Sequence, residues 1–449
     1  MNLPWDLTVG VVLWILVVMA IVFQRWKLRW PGTGLVLGYM LNLTLLHWVG
    51  TVIYLLPAHR FLAEDLDLTQ QGFWISLMGL MGAWAGIGLA PLWVGRLKGP
   101  FKGSQWVPQP ALARAYIVLG MFIYLVLQPR FGITPTVSAL LSVGWKLVVA
   151  GVILLTWKDW QEKTHMRFWL RVAIWTTVLP SLSLLTQGFL GFGASLASAI
   201  FCFVATIYRP RWRFLLIAAL MGYVGMSVYV TYMQERTEIR EVVWGGTPME
   251  ERIEQLMKSA RAFEWLDLSD PNHLWVIDSR LNQNYLVGAA VEYIKSGYEK
   301  MAYGRTLWDA LVALIPRALW PEKPVAAGSM GWVGHYTGIQ FEEGTSVGLG
   351  QVLELYINFG LVGVVVGCFL MGLFIASVDT LAGQRLVAGD WQGFCLRYLP
   401  GLFLIECGGS FVEITASSAA ALLLVLLLHR FLFLQSLAGR RSTPIGKQG

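Results

Sequence analysis

Three features of the sequence predict an all-α polytopic membrane protein. Apolar runs long enough to span a bilayer as helices recur along most of the chain. Only 14% of the residues are charged, against roughly a quarter in a soluble domain. The one long polar segment, 234–348, lies between two apolar blocks. The expected architecture is about eleven transmembrane helices with one large helical loop on one face of the membrane.

The apolar windows cover 7–23, 34–56, 73–94, 112–128, 136–157, 168–186, 189–208, 214–232, 349–378, 393–409 and 415–434. They divide the chain into an N-terminal membrane block (1–233, about eight spans), the loop domain (234–348) and a C-terminal block (349–449, about three spans). The first run, Leu7 to Phe23, lacks a positive leader and a small-residue cleavage site, so it reads as a retained span. Alternate short connections are rich in cations: Arg25, Lys27 and Arg29; Arg96, Lys98 and Lys102; Lys158, Lys163, Arg167 and Arg171; Arg209, Arg211 and Arg213; Arg385; and Arg440, Arg441 and Lys447. The intervening short loops hold only Arg60 and Arg130. By the positive-inside rule the N-terminus and the 234–348 loop lie outside, and the C-terminus is cytoplasmic. The same rule accounts for the net charge of +7 without a nucleic-acid partner. Cys202, Cys368, Cys395 and Cys407 lie in or beside apolar runs with no C-x-x-C spacing, so neither a disulfide framework nor a zinc site is implied.

The loop has helical periodicity of its own. Thr247-Pro248-Met249-Glu250 reads as a helix start with Thr247 as N-cap, followed by apolar residues at Ile253, Leu256, Met257, Ala260 and Phe263. Further helices are expected over 286–298 and 306–319. Such apolar faces need a partner, either the membrane domain or the bilayer interface.

Within this loop, Arg280, Arg305, Arg317 and Lys323 are cations suited to a phosphate or pyrophosphate. Pro316, Pro321 and Pro324 stiffen the backbone around the last two. His335, flanked by glycines and next to Tyr336, is a candidate proton acceptor, as are Glu342, Glu343 and Glu354. Asn284, with Asn282 and Gln283, offers amides to sugar hydroxyls or to turns. Lys146 falls within an apolar run, where a charge either pairs with a carboxylate or faces an anionic headgroup.

IPRALWPEKP (Ile315–Pro324), the turn at Gly344–Val347 and GLGQVLELYINFGLVG (Gly348–Gly363) resemble the O-antigen and exopolysaccharide polymerases of the Wzy type. The likeness covers roughly Arg280 to Gly363 and includes the placing of one large loop before the last helices. It implies a membrane glycosyltransferase of the GT-C kind, with no cofactor, nucleotide sugar or metal. Its donor would be an undecaprenyl-pyrophosphate-linked oligosaccharide and its acceptor a growing lipid-linked glycan. Membrane lipids and chain-length regulator and flippase proteins would be its partners. Carried over, Arg280, Arg305, Arg317 and Lys323 grip the pyrophosphate with Tyr336, Asn284 and Lys146 nearby, and His335, Glu354 or Glu343 serves as base. A ligase-like transfer, a transporter for lipid-linked sugars and a non-catalytic assembly subunit are the alternatives.

Overall fold

The computed structural model describes residues 5–27, 31–58, 62, 64–96, 109–131, 135–208, 212–315, 320, 322–323, 328–341 and 347–441. Eight candidate spans come first: α1 (Trp5–Lys27), α2 (Leu35–Leu55), α3 (Leu66–Arg96), α4 (Pro110–Phe131), α5 (Pro135–Gln161), α6 (His165–Gln187), α7 (Leu190–Tyr208) and α8 (Trp212–Trp244). The loop forms α9 (Met249–Arg261), α10 (Pro271–Leu281), α11 (Gln283–Lys295), α12 (Arg305–Ala313) and α13 (Ser329–Thr337). Then come α14 (Gln351–Val387), α15 (Trp391–Leu404) and α16 (Phe411–Arg441). The protein is thus an all-helical multi-pass membrane protein, with ten helices among the described residues long and apolar enough to cross.

The span expected over 393–409 is the difference. α15 has 14 residues, about 21 Å of helix, and stops before Cys407-Gly408-Gly409, where two glycines disfavour helix. Irregular backbone among membrane helices is tolerated only where protein satisfies it. Here Gly350 N–H donates to Gly408 O (3.1 Å) and Gln351 N–H to Cys407 O (2.9 Å), so the break pairs with the chain entering α14. Lys146 on α5 donates to the freed Leu402 carbonyl (3.0 Å) and forms an ion pair with Glu406. A cation at a helix C-terminus is favourable in itself.

α3 is the axis of the fold. Its glycine face lies against α14 and, nearer its start, against α11. A Cβ at Gly82 or Gly86 would overlap the Val365 or Phe369 carbonyl, and one at Gly288 on α11 would overlap the Leu68 carbonyl. Small residues let helices in lipid approach to backbone contact, where dispersion rather than hydrophobicity holds them.

The loop packs against the bundle. The turn between α10 and α11 enters the bundle. Asn284 is fully buried there, its Oδ1 2.8 Å from His47 Nδ1 and accepting from Ser76 Oγ (2.9 Å). Its Nδ2 donates to His47 O and Thr51 Oγ1. His47 lies on a π-helical stretch of α2, Thr44–Val49. α8 also runs past the expected boundary at 233, and α9 starts differently from the capping motif: Pro248 is the N-cap residue. Thr247 Oγ1 instead donates back to Val242 O (2.9 Å), satisfying a carbonyl freed where the Gly245-Gly246 turn ends α8.

At the opposite face, Asp379 on α14 is 1% exposed. It pairs with Arg25 at the end of α1 (2.5 Å) and accepts from Thr33 N–H (2.6 Å), Thr33 Oγ1 (2.8 Å) and Leu35 N–H (3.2 Å) at the start of α2. One carboxylate thus fastens three helices. Replacing Asp379 with Ala leaves the Arg25 guanidinium uncompensated and is expected to cost about 3–5 kcal/mol. A clear fall in the melting temperature of the detergent-solubilised protein would register it, whereas Asp6→Asn, at the other end of α1, leaves that temperature unchanged.

Candidate functional site

The first turns of α14 build the most complete polar centre. α14 is broken at Phe359–Gly360, where Gly360 adopts φ 62°, a left-handed conformation that suits glycine. The break frees the Ile357 carbonyl, which accepts from Ala302 N–H (2.8 Å). Asn358 Oδ1 accepts from Gly304 N–H (2.8 Å), while its Nδ2 donates to Thr306 Oγ1 and Glu354 O (2.7 Å each). These bonds fix the N-terminus of α12, and Arg305 with it, over the first half of α14.

Beneath lies Glu354, fully buried. Its Oε2 accepts from Phe411 N–H (2.7 Å) at the start of α16, a favourable place for a negative charge. The Thr306 hydroxyl lies beside the same carboxylate. Glu413 and Asp309 are electrostatic neighbours. Glu413 closes a capping box with Ser410 at the head of α16 (3.1 and 3.3 Å) and accepts from Ser329 Oγ on α13 (2.8 Å).

Above lies an accessible group. His335 is half-exposed, with Nε2 3.3 Å from Glu299 Oε2. Its ring stands edge-on to Tyr336 (5.0 Å) and Trp332 (6.3 Å), and Arg305 lies over Trp332 (5.6 Å). Burial, reinforced by the Glu299 charge, raises the Tyr336 phenol above its usual range, so it stays a donor. The Trp332 indole N–H is buried without an acceptor among the described residues.

Four of the expected residues, Arg305, His335, Tyr336 and Glu354, thus gather around α12, α13 and the head of α14. Arg280 sits at the end of α10, beside α8. The other expectations fall elsewhere. Lys146 is occupied by Glu406 and the end of α15, and every polar position of Asn284 is taken inside the bundle. Lys323 donates to Ala313 O (3.1 Å) and Ile315 O (3.0 Å), closing the end of α12. Arg317, Glu342 and Glu343 lie outside the described residues. One acid-x-acid spacing, Asp65–Asp67, heads α3; there Asp65 Oδ1 accepts from Asp67 and Leu68 N–H as a cap. Sequence reading missed Glu299, Trp332, Thr306 and Asn358. Of these only Asn358 carried a signal, as a polar residue one turn after Glu354 in ELYINFG.

Fold and site together define a multi-pass helical membrane protein whose loop is keyed into its bundle, with a histidine, an arginine and buried carboxylates gathered at the junction. The chain belongs to the family described as domain of unknown function DUF8712, whose model matches residues 148–438. No curated protein and no solved structure matches it.

Beside the inserted turn, Asp278 Oδ2 accepts from Tyr54 Oη (3.0 Å) and Oδ1 from Asn282 Nδ2 (2.8 Å). Burial raises both Asp278 and nearby Glu64 to about 6. A raised acid favours the fold while protonated, so this stabilisation is complete below the unfolded carboxylate value of about 4. It is lost as pH rises through about 6. Melting temperature is therefore expected to fall between about pH 4 and pH 7, and Asp278→Asn to flatten that slope. An unchanged slope in Asp278→Asn would refute the assignment.

Proposed function

We propose that the protein is a membrane glycosyltransferase that joins undecaprenyl-pyrophosphate-linked oligosaccharide units at the outer face of the inner membrane. One observation carries this reading: an accessible His335–Glu299 pair shares an aromatic platform with Arg305. Nucleophilic transfer needs a base oriented by a third group and a cation where leaving-group charge develops. In the proposed step, Glu299 holds the His335 Nε2–H and neutral Nδ1 takes the proton from an acceptor sugar hydroxyl. That oxygen attacks the anomeric carbon of the donor, and the bond to the pyrophosphate oxygen breaks. The lipid pyrophosphate leaves with the bonding pair, and Arg305 stabilises its charge. The polymer-forming outcome, and a place for Arg317 in the grip, rest on the resemblance around Ile315–Pro324 and Gly348–Gly363.

Glu354 is the rival base. It is sealed beneath α12 and anchored to α16, which suits a residue that positions the site better than one that meets a hydroxyl. The broken α14 and the α15–α16 interruption favour one alternative, a transporter for lipid-linked sugars, because such breaks line substrate paths in transporters.

Deleting the gene and separating cell-envelope glycans with the lipid-linked pool discriminates these readings. A polymerase leaves a single repeat unit on lipid and no long-glycan ladder. A ligase leaves a long glycan stranded on lipid. An unchanged ladder and pool would exclude glycosyl transfer. In a complemented strain, His335→Ala is expected to lower polymer formation by about 10²–10⁴-fold and Arg305→Ala by about 10²–10³-fold, at normal protein level. Glu299→Gln is expected to fall between wild type and His335→Ala.

A further inference from the structure

A second cationic centre stands at the loop end of α8. Tyr229, Tyr232, Arg236 and Arg240 follow one another at three- and four-residue spacing, which places them on one face of the helix. Arg280, at the end of α10, faces the same stripe, within electrostatic range of Arg236 and Tyr229; Arg240 is also in range of Arg236. Like charges four residues apart on a helix repel. The nearby carboxylates of α8 do not relieve this, because they face α9: Glu238 pairs with Lys258 (2.8 Å) and Glu235 accepts from Ser259 Oγ (3.5 Å). Among the described residues no carboxylate pairs with Arg236, Arg240 or Arg280.

Arg240 is also held in place. Its guanidinium lies 4.2 Å from the Phe189 ring centroid and 5.2 Å from that of Trp244, and its Nε is buried with no acceptor among the described residues. A cation that merely snorkels to water keeps its donors solvated, whereas Arg240 has one in a dry position. Fixed, clustered guanidiniums with unused donors match the tetrahedral oxyanions of phosphate, which arginine binds through paired N–H groups.

We infer that Arg236, Arg240 and Arg280 form a binding site for a phosphate ester or pyrophosphate at the loop end of α8, separate from the His335 group. The phosphate comes either from a membrane lipid headgroup or from a soluble anion. Nothing in this site depends on glycosyl transfer.

The full chain in nanodiscs of phosphatidylcholine, with and without phosphatidic acid, tests it by melting temperature and by native mass spectrometry of retained lipid. A parallel titration uses inorganic pyrophosphate. Stabilisation by phosphatidic acid alone identifies a lipid headgroup as the source, and stabilisation by pyrophosphate identifies a soluble one. In either case Arg280→Gln is expected to weaken the response about tenfold or more, and the triple Gln variant to abolish it. The double variant Arg236→Gln/Arg280→Gln, which keeps the ring contacts of Arg240, should melt no lower than wild type without ligand, because repulsion is removed, and this distinguishes loss of the site from loss of the fold. His335→Ala and Arg305→Ala should keep the full response, so failure of the glycosyltransferase reading leaves this result intact. No response to either probe, or an equal response in the triple variant, overturns the proposal.

Discussion

The backbone contact between α3 and its two partners is the constraint on which the rest of the structure depends. Lipid gives apolar helices no hydrophobic reason to associate, so close approach must supply the attraction. Gly82 and Gly86 bring α3 to the carbonyls of α14, while Gly72 and Gly288 bring its first turns to α11. A single helix thereby fixes both a membrane span and a loop helix. The turn between α10 and α11 is drawn into the bundle, where Asn284 meets His47, Thr51 and Ser76. With that turn in place, Gln283 lies against Gly350, the residue from which α14 begins.

The break after α15 and the kink in α14 are each answered by another segment. The break after α15 pairs with the entry to α14, and the freed Leu402 carbonyl meets Lys146. The kink at Gly360 passes its free carbonyl to Ala302, and Asn358 reaches the head of α12. Unsatisfied backbone polar groups away from water each cost several kcal/mol, roughly, so these segments hold one another in one geometry. The residues they present, Arg305 and Glu354 above all, are set on backbone that has little freedom to drift.

The apolar runs were legible because span length is a property of local composition. Hydropathy placed eight spans before the loop, as the structure does, but it also counted 393–409 as a full crossing. Cys407, Gly408 and Gly409 are apolar enough for such a scale, while their weakness lies in helix propensity and in the partner waiting at Gly350. The candidate site was legible in part. Glycines around His335 and the ELYINFG text marked two of its pieces, yet Glu299 looked like any loop carboxylate and gains meaning only when α13 packs near it. Asn284 shows the converse. An amide between polar neighbours reads as exposed, and only the approach of α2 and α3 shows that its hydrogen bonds are already made.

The charges at the loop end are segregated, and their surroundings suggest how work is divided among them. Carboxylates collect under α12, where Glu354 and Glu413 face the head of α16, whose unpaired N–H groups carry partial positive charge. Each of these carboxylates is fixed in place by backbone N–H groups there. The arginines have no such answer: Arg236, Arg240 and Arg280 face one another, and Arg305 leans on an aromatic ring. Arg236, Arg240 and Arg280 thus stand without a paired carboxylate among the described residues, while Glu354 and Glu413 are held at the head of α16. His335, with its own carboxylate at 3.3 Å, stands apart from that buried layer and half-exposed.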